Sequence, residues 1–339
     1  MRRSSIAFFL GVSLIACALV AHEERARAAT PALPDLTSFQ LMRADGGGPI
    51  EVSVDRAADA LKDYDVIFLG EWHDHPGNHL AEMALFRAIH VRAPQLALSM
   101  EQFERDVQPA VDDYLAGRIG EEAFRRRGRA WNNYAESYRP LVEYAKEYGL
   151  PVIAANAPAL VVRCVGQEGP ERLSRLKPEQ RGWAAAELNL ADGAYKDKFM
   201  RFLAEEGSHG QDAGSANRTD GPTAADLRSY AAQVTRDDTM AESIFLHLQK
   251  NPGRKVVHVT GAFHVEGALG TVERLKLRAP SLKIAVIVPV EAESSEDAKG
   301  ADFVFLLRGL PKSYVSEAEE SAARAAMQGN FRARSQCTL

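Results

Sequence analysis

The chain has 339 residues, of which 46% are hydrophobic and 26% charged, the proportions of an ordinary soluble protein with one large α/β domain or two smaller ones. Its formal net charge of −5 gives no reason to expect nucleic acid as a partner, because a protein that binds phosphates usually shows a basic face. The three cysteines, Cys17, Cys164 and Cys337, share no short spacing and predict neither a zinc ribbon nor a disulfide framework.

The first 28 residues are typical of a signal peptide and are expected to lie outside the fold. Two arginines precede an apolar stretch at residues 6–21 that is too short to span a membrane comfortably. Two processing sites are open: L-I-A-C at 14–17 fits a bacterial lipobox with Cys17 lipidated, and A-R-A at 26–28 fits ordinary signal peptidase. We therefore expect an exported protein, either periplasmic or held at the outer membrane only by a lipid anchor.

Strand and helix patterns alternate after a proline-rich linker at residues 30–39. Short β-branched apolar runs predict strands at 66–69, 95–101, 151–156, 255–260, 282–290 and 302–307. Amphipathic runs predict helices at 52–62, 78–92, 106–116, 120–129 and 139–148. Because strands joined by helical crossovers pair in parallel, we predict an α/β fold in which helices flank a mostly parallel sheet.

Residues 157–250 carry no strand pattern and are helical and rich in alanine. A segment rich in glycine, serine, aspartate and asparagine at 207–222 interrupts them and predicts a mobile loop. We interpret 157–250 as a helical insertion or lid within a single α/β domain at 40–315. Residues 316–339 are expected to be a C-terminal tail that starts with a surface helix and ends loosely.

Two predicted strands end in the same way. The strand at 66–69 stops at Gly70 and is followed by His73, and the strand at 255–260 stops at Gly261 and is followed by His264. A single G-x-x-H motif carries little information, whereas two such motifs at strand ends point to a shared site. In open parallel sheets, ligands bind just beyond the carboxyl ends of the strands.

Polar side chains at these strand ends are expected to surround one cavity. They are Glu71, His73, Glu101, Asn156 and His264. Glu71, His73 and His264 form a plausible ligand set for a divalent ion such as manganese, cobalt or zinc. Without a metal, a histidine oriented by Glu71 or Glu101 can act as general base on water. The composition does not decide between these two chemistries.

Structural roles compete with these functional ones. Glu71 and Glu101 can each cap the helix that follows, where a carboxylate is favoured by the exposed amides. Asn156 has the sequence context of a turn residue, and His258 lies inside an apolar strand, where a core position is the simplest interpretation. His79 lies in the first turn of a helix that we expect to be exposed, so solvent is its predicted environment.

An aromatic connection at residues 131–138 suggests a different chemistry. Tyr134 and Tyr138, with Trp131 and Tyr144 nearby, can line a groove for a flat hydrophobic ligand, and a tyrosinate can ligate ferric haem iron. The alternative is that these rings pack between helix and sheet with their hydroxyls at the surface.

Several short motifs occur in a distinctive order over about residues 65–310. They are L-G-E-x-H at 69–73, M-E-x-F-x-R-x-x-Q at 100–108, Trp131 with Y-R-P-L at 138–141, A-N at 155–156, R-D-D-T-M-A at 236–241 and G-x-F-H at 261–264. This combination resembles the ChaN-like family of haem-binding uptake lipoproteins, within a superfamily that includes Tiki, TraB and erythromycin esterase.

The resemblance implies an exported α/β protein that binds haem during bacterial iron uptake, as a binding protein rather than an enzyme. It implies tyrosine ligation of haem, for which Tyr134 and Tyr138 are the candidates, a possible homodimer and a haem-uptake receptor as partner. The Tiki branch implies instead a divalent-metal-dependent peptidase acting through both G-x-x-H motifs and Glu71. The erythromycin-esterase branch implies that a histidine acts as a base without metal. A third possibility is that the pocket has no activity and serves only as a scaffold for a partner protein.

Overall fold

An eight-stranded sheet forms the centre of the protein. The computed structural model describes residues 33–44, 49–208, 221–292, 298–323 and 337–339, without side chains at 206–208. The strands are Phe39–Ala44 (β1), Pro49–Glu51 (β2), Val66–Glu71 (β3), Leu96–Glu104 (β4), Val152–Asn156 (β5), Lys255–Gly261 (β6), Ile284–Glu291 (β7) and Phe303–Leu307 (β8). They lie in the order β2-β1-β8-β7-β3-β6-β4-β5, and the predicted mostly parallel α/β sheet is confirmed.

The six strands from β8 to β5 pair in parallel, and β1 and β2 extend the sheet in antiparallel fashion beyond β8. The sequence analysis did not predict β1 or β2, the first two strands in chain order. Both are short, β2 is exposed and starts with proline, and β1 is fixed by pairing with a strand more than 250 residues away. Local patterning carries no trace of that distant partner.

Ten α-helices within the described residues flank the sheet. They are Val54–Leu61 (α1), Pro76–Arg92 (α2), Gln108–Leu115 (α3), Glu121–Arg127 (α4), Arg139–Glu147 (α5), Ala159–Glu168 (α6), Pro178–Arg181 (α7), Ala194–Ser208 (α8), Ala224–Lys250 (α9) and Thr271–Arg278 (α10). A π-helical segment at Tyr134–Tyr138 leads directly into α5. None of the described helices is long and apolar enough to cross a bilayer.

Alternate residues of β3 contribute to two separate hydrophobic cores. Ile67 and Leu69 belong to the core that contains buried residues of α1, α2 and α5, and Val66 and Phe68 to the core shared with α9 and α10. Since both faces of β3 are covered, its sequence is continuously apolar from Val66 to Leu69 and does not alternate between apolar and polar residues. This burial holds β3 rigid up to the rim where its polar residues begin.

Helices α6 to α9 occupy most of the stretch at 157–250 that we predicted to be helical. The longest of them, α9, begins at a capping box of Thr223 and Asp226 and packs against β5, α6 and α10. It thereby covers one face of the sheet and carries its middle residues to the carboxyl ends of the strands. Residues 33–339 group into one compact unit, and the predicted signal peptide with Cys17 lies outside the described residues.

A disulfide joins Cys164 in α6 to Cys337, with a Cα–Cα distance of 4.8 Å. The Cys337 backbone N–H also donates to Gln167 Oε1 at 2.9 Å, and Arg172 donates to the carbonyl of Leu339. We expected the end of the chain to be loose, and for residues 337–339 this was wrong. The sequence did not predict this bond because a link across 173 positions has no local signature.

Candidate functional site

The two G-x-x-H motifs lie side by side at the carboxyl ends of neighbouring strands. In the parallel pair of β3 and β6, Glu71 is opposite Gly261, and β4 lies on the other side of β6. This strand order brings Glu71, His73, Glu101 and His264 to one rim of the sheet. We call the region formed by these four residues and Gly261 the rim site.

Glu71 and His73 form one hydrogen-bonded pair. Glu71 is almost fully buried, and its Oε1 accepts from His73 Nδ1 at 2.7 Å, Gln102 Nε2 at 2.6 Å and Tyr138 OH at 2.9 Å. The His73 side chain is 40% exposed and meets the Trp131 ring edge-on. Burial opposes protonation of His73, but its bond to Glu71 and the charges of Glu101 and Glu71 outweigh burial and raise its pKa.

His264 lies between two carboxylates. Its Nδ1 is 2.8 Å from Asp237 Oδ1 and its Nε2 is 3.5 Å from Glu101 Oε1. Burial acts to lower the pKa of His264, but the two carboxylates outweigh it and raise the pKa to about 10. The two carboxylates thus favour the protonated form of His264. Among the described residues, Glu71, His73 and His264 do not place one ligand atom each within 4.8 Å of the other two, so this arrangement does not bring the predicted metal set together.

Glu101 is held by β6 and does not cap a helix. Its Oε2 accepts from Thr260 Oγ1 at 2.6 Å and from the Gly261 backbone N–H at 2.8 Å. Burial alone raises the pKa of Glu101, yet the charge and hydrogen bond of His264 hold that pKa well below its usual value. The helix-capping alternative fails for Glu71 as well, because α2 is capped by His75, whose Nδ1 accepts from the Asn78 N–H.

Gly261 separates the two histidine–carboxylate pairs. A Cβ on this residue would lie 2.8 Å from His73 Nε2 and 3.7 Å from Glu101 Oε2. Any side chain here would displace the His73 ring, so the glycine keeps open the space beside His73 Nε2. The second motif thus contributes a gap as well as a histidine.

His79 is buried, and its predicted exposure was wrong. Its Nδ1 lies 3.3 Å from Glu71 Oε2 and 3.2 Å from Glu82 Oε2, and its Nε2 is 2.9 Å from the His73 carbonyl oxygen. Burial lowers the pKa of His79, but Glu82 and Glu71 outweigh it and raise the pKa to about 9. Burial and the charge of Glu71 raise the pKa of Glu82 to about 8.

The two tyrosines predicted to bind haem are buried beneath the rim site. Tyr138 donates its hydroxyl to Glu71. The Tyr134 hydroxyl, beside the rings of Phe103 and Phe124, has no hydrogen-bond partner among the described residues. Burial raises the pKa of both phenols well above its ordinary value, which disfavours the tyrosinate form. Neither hydroxyl reaches the surface, so an external ligand can meet them only if the segment at Tyr134–Tyr138 moves.

The remaining residues considered from sequence have structural roles. Asn156 donates through Nδ2 to the Glu101 carbonyl at 3.1 Å and so supports the end of β4. His258 is a core residue as predicted, and burial lowers its pKa to about 3. Sequence reasoning missed Glu82, Gln102 and Asp237. Asp237 carried a signal nonetheless, because it lies in the R-D-D-T-M-A motif at 236–241.

Comparison with known proteins identifies related chains. The model of a family described as haem-binding uptake, Tiki superfamily, ChaN, matches residues 57–275. The protein RETICULATA-RELATED 5, chloroplastic, of Arabidopsis thaliana is 28% identical over 236 residues, 66% of this chain and 31% of that protein. The chain thus spans about a third of that relative's length.

Solved structures share the fold. A structure described as cofacial heme binding to ChaN of Campylobacter jejuni has a TM-score of 0.59 and 14% identity, covering 80% of this chain and 97% of that one. A mutant of the erythromycin esterase EreC in its open conformation has a TM-score of 0.44 and 13% identity, covering 86% and 87%. At such low identity the Campylobacter structure establishes the fold alone.

Proposed function

Because the chain belongs to the ChaN family of haem-binding uptake proteins in the Tiki superfamily, we propose that it is an exported protein that binds haem and assists bacterial iron uptake. The family match carries this proposal, since it spans the whole rim site. A haem-uptake receptor and a second copy of the chain, the partners implied by the sequence resemblance, belong to the same proposal. The Cys164–Cys337 disulfide supports export, because such bonds persist in oxidising compartments.

The donor set at the rim fits haem through His73. Its imidazole is partly exposed, its Nδ1 is bound to Glu71, and Gly261 leaves space beside its Nε2. Histidine is a common axial ligand of haem iron, and a carboxylate behind the ring raises its basicity. When bound, haem would supply the iron for uptake, and Glu71 would orient the ring. The buried Tyr134 and Tyr138 fit this role less well.

We expect His73→Ala to weaken hemin binding by roughly tenfold or more, because it removes the exposed imidazole. Tyr134→Phe and Tyr138→Phe should keep binding within about threefold, since neither hydroxyl is exposed. Hemin titration of the mature protein, followed at the Soret band, measures all three. Affinity should also rise with pH above about 6.5, because the raised pKa of His73 keeps part of it protonated and unable to ligate iron.

His90→Ala is the matched control, since it removes a part-buried histidine from the other end of α2. If a tyrosine variant loses binding while His73→Ala retains it, the ligand is a phenol and the segment at Tyr134–Tyr138 must move. No Soret shift for the wild-type protein at micromolar hemin would reject haem binding altogether.

Hydrolysis is a second candidate function, favoured by the two oriented histidine–carboxylate pairs that flank Gly261. His73 can accept a proton from water at Nε2 while Glu71 stabilises the resulting imidazolium. His264, whose protonated form is favoured by Asp237 and Glu101, can stabilise negative charge that develops on a substrate oxygen. This division of roles needs one neutral and one protonated histidine, which the different exposures of His73 and His264 favour.

For this function we expect His73→Ala to lower kcat/KM by about 10²–10⁴ on any ester or peptide that the wild-type protein cleaves. Activity should fall on the acidic side as His73 becomes protonated, below its raised pKa. A broad panel of esters and peptides, assayed with purified protein, tests this. The hydrolase proposal fails if the panel shows no turnover, or if His73→Ala retains full activity.

A further inference from the structure

Beneath the rim site lies a compact cluster of three potential metal ligands. Glu71, His79 and Glu82 are all buried, and one ligand atom from each lies within 4.8 Å of the other two. We call these three residues the buried triad. It shares Glu71 with the rim site but contains neither histidine of the G-x-x-H motifs.

The two oxygens of Glu71 differ sharply in their surroundings. Oε1 accepts three hydrogen bonds, from His73, Gln102 and Tyr138. Oε2 accepts none from the described residues, although Glu71 is only 1% exposed. A buried carboxylate oxygen without a donor destabilises the folded state, because it has lost its hydrogen bonds to water and no protein donor replaces them. Its position, 3.3 Å from His79 Nδ1, turns it towards the other two members of the triad.

His79 and Glu82 are also oriented by hydrogen bonds on the side away from the proposed metal position. His79 Nε2 is 2.9 Å from the His73 carbonyl oxygen, which can only accept, so the proton of a neutral ring sits on Nε2 and the Nδ1 lone pair faces the carboxylates. Asn78 Nδ2 donates to Glu82 Oε1 at 2.8 Å and leaves Glu82 Oε2 directed at His79. Hydrogen bonds of this kind, from the far side of each ligand, are typical of metal sites.

The separations of His79 Nδ1 from the two carboxylate oxygens suit a cation bound between them. His79 Nδ1 is 3.3 Å from Glu71 Oε2 and 3.2 Å from Glu82 Oε2. A charge-assisted N–H···O bond would be shorter, at about 2.7–2.9 Å. Ligand atoms about 2.1 Å from one ion are separated by about 3.0 Å in octahedral and about 3.4 Å in tetrahedral geometry.

Charge balance points the same way. Within the described part of the chain, neither Glu71 nor Glu82 has an ion pair with a lysine or arginine, and histidines are their only potentially cationic partners. Two carboxylates buried together need a positive charge nearby, because removing them from water is otherwise costly. A divalent cation supplies that charge to both at once.

We propose that Glu71 Oε2, His79 Nδ1 and Glu82 Oε2 bind one divalent transition-metal ion. The imidazole favours manganese, iron, cobalt or zinc over magnesium and calcium, which prefer oxygen ligands alone. Such an ion fixes Glu71, and through its other oxygen fixes His73, so the metal acts as a structural support for the rim site. This site differs from the set of Glu71, His73 and His264 that the sequence suggested.

The test is metal content and affinity. Because the triad is buried, the protein is expressed in medium with added zinc or manganese chloride, purified, and analysed by elemental mass spectrometry. We expect about one equivalent per chain in the wild-type protein. Glu82→Gln and His79→Gln should each lower affinity by roughly a hundredfold or more, measured by calorimetry with zinc chloride on chelator-treated protein. Cobalt chloride should give visible d–d absorption bands in the wild-type protein and lose them in both variants.

Two histidine variants serve as comparisons. His90→Gln removes a histidine from the same helix, and His264→Gln removes one from the G-x-x-H motifs; both should keep metal affinity within about threefold. The proposal is overturned if the wild-type protein binds less than a tenth of an equivalent, or if His264→Gln abolishes binding while Glu82→Gln keeps it. Circular dichroism without metal checks folding; should a triad variant be unfolded, the wild-type metal content and cobalt spectrum still decide the question.

Discussion

Asp237→Ala is expected to lower the free energy of unfolding by about 3–5 kcal/mol at pH 6, the usual effect of removing one partner from a buried ion pair. Asp237 is fully buried in α9, and its Oδ1 lies 2.8 Å from both His264 Nδ1 and Thr271 Oγ1. Alanine would leave the His264 imidazolium with Glu101 alone, at 3.5 Å. Urea denaturation measures the change, with Asp192→Ala as an exposed control expected to stay within about 0.5 kcal/mol.

The pH dependence of this difference follows from the two pKa shifts. The pKa of His264 is raised from 6.5 to about 10, so its contribution is full below pH 6.5 and is lost as the pH rises towards 10. The pKa of Asp237 is lowered from 3.8, so its contribution is present above pH 3.8 and is lost at lower pH. The destabilisation should therefore be largest between about pH 4 and 6.5. A difference below about 1 kcal/mol in that window would show that the pair contributes little.

Loss of the Cys164–Cys337 disulfide is expected to lower the free energy of unfolding by about 2–5 kcal/mol. The bond closes a loop of 173 positions, and a long loop restricts the unfolded chain more than a short one. The double variant Cys164→Ser with Cys337→Ser should reproduce the effect of dithiothreitol on the wild-type protein. Reductant should leave the double variant unchanged, which provides the control. Equal urea midpoints for the oxidised and reduced wild-type protein would contradict this expectation.

Local patterns in the sequence were sufficient for the class of fold and for most of its elements. The apolar runs at Val66–Glu71 and Lys255–Gly261 reveal strands covered on both faces, because only such strands tolerate continuous hydrophobicity. The patterns do not give the order of the strands. That β6 lies between β3 and β4 depends on how the crossover helices pack, which no short window of sequence contains.

The residues of the candidate site likewise fall into two groups, those that a local sequence pattern reveals and those that it does not. Residues at strand ends, such as His73 and His264, are recognisable because the strand pattern stops beside them. His79 and Glu82 lie in a helix whose hydrophobic residues do not mark one face. Their burial is stabilised by their contact with each other and by the contacts of His79 with Glu71 and the His73 carbonyl, which a local sequence pattern does not reveal. Tyr138 and Glu71 were both recognised as functional candidates, but the hydrogen bond between them was not predicted, because they are 67 positions apart.

The place of β6 in the sheet also bears on how the chain is made. During translation, β4 leaves the ribosome about 150 residues before β6, roughly 8–30 s at ordinary elongation rates, and β3 leaves it earlier still. Until then both edges of β3 and one edge of β4 are unpaired, because β6 and β7 come later in the chain, and such edges are open to association with other chains. A truncated product ending before residue 255 would lack β6, β7 and β8 and would leave β3 without a neighbouring strand. We expect such a product to require chaperones or to be degraded, and not to keep part of the site.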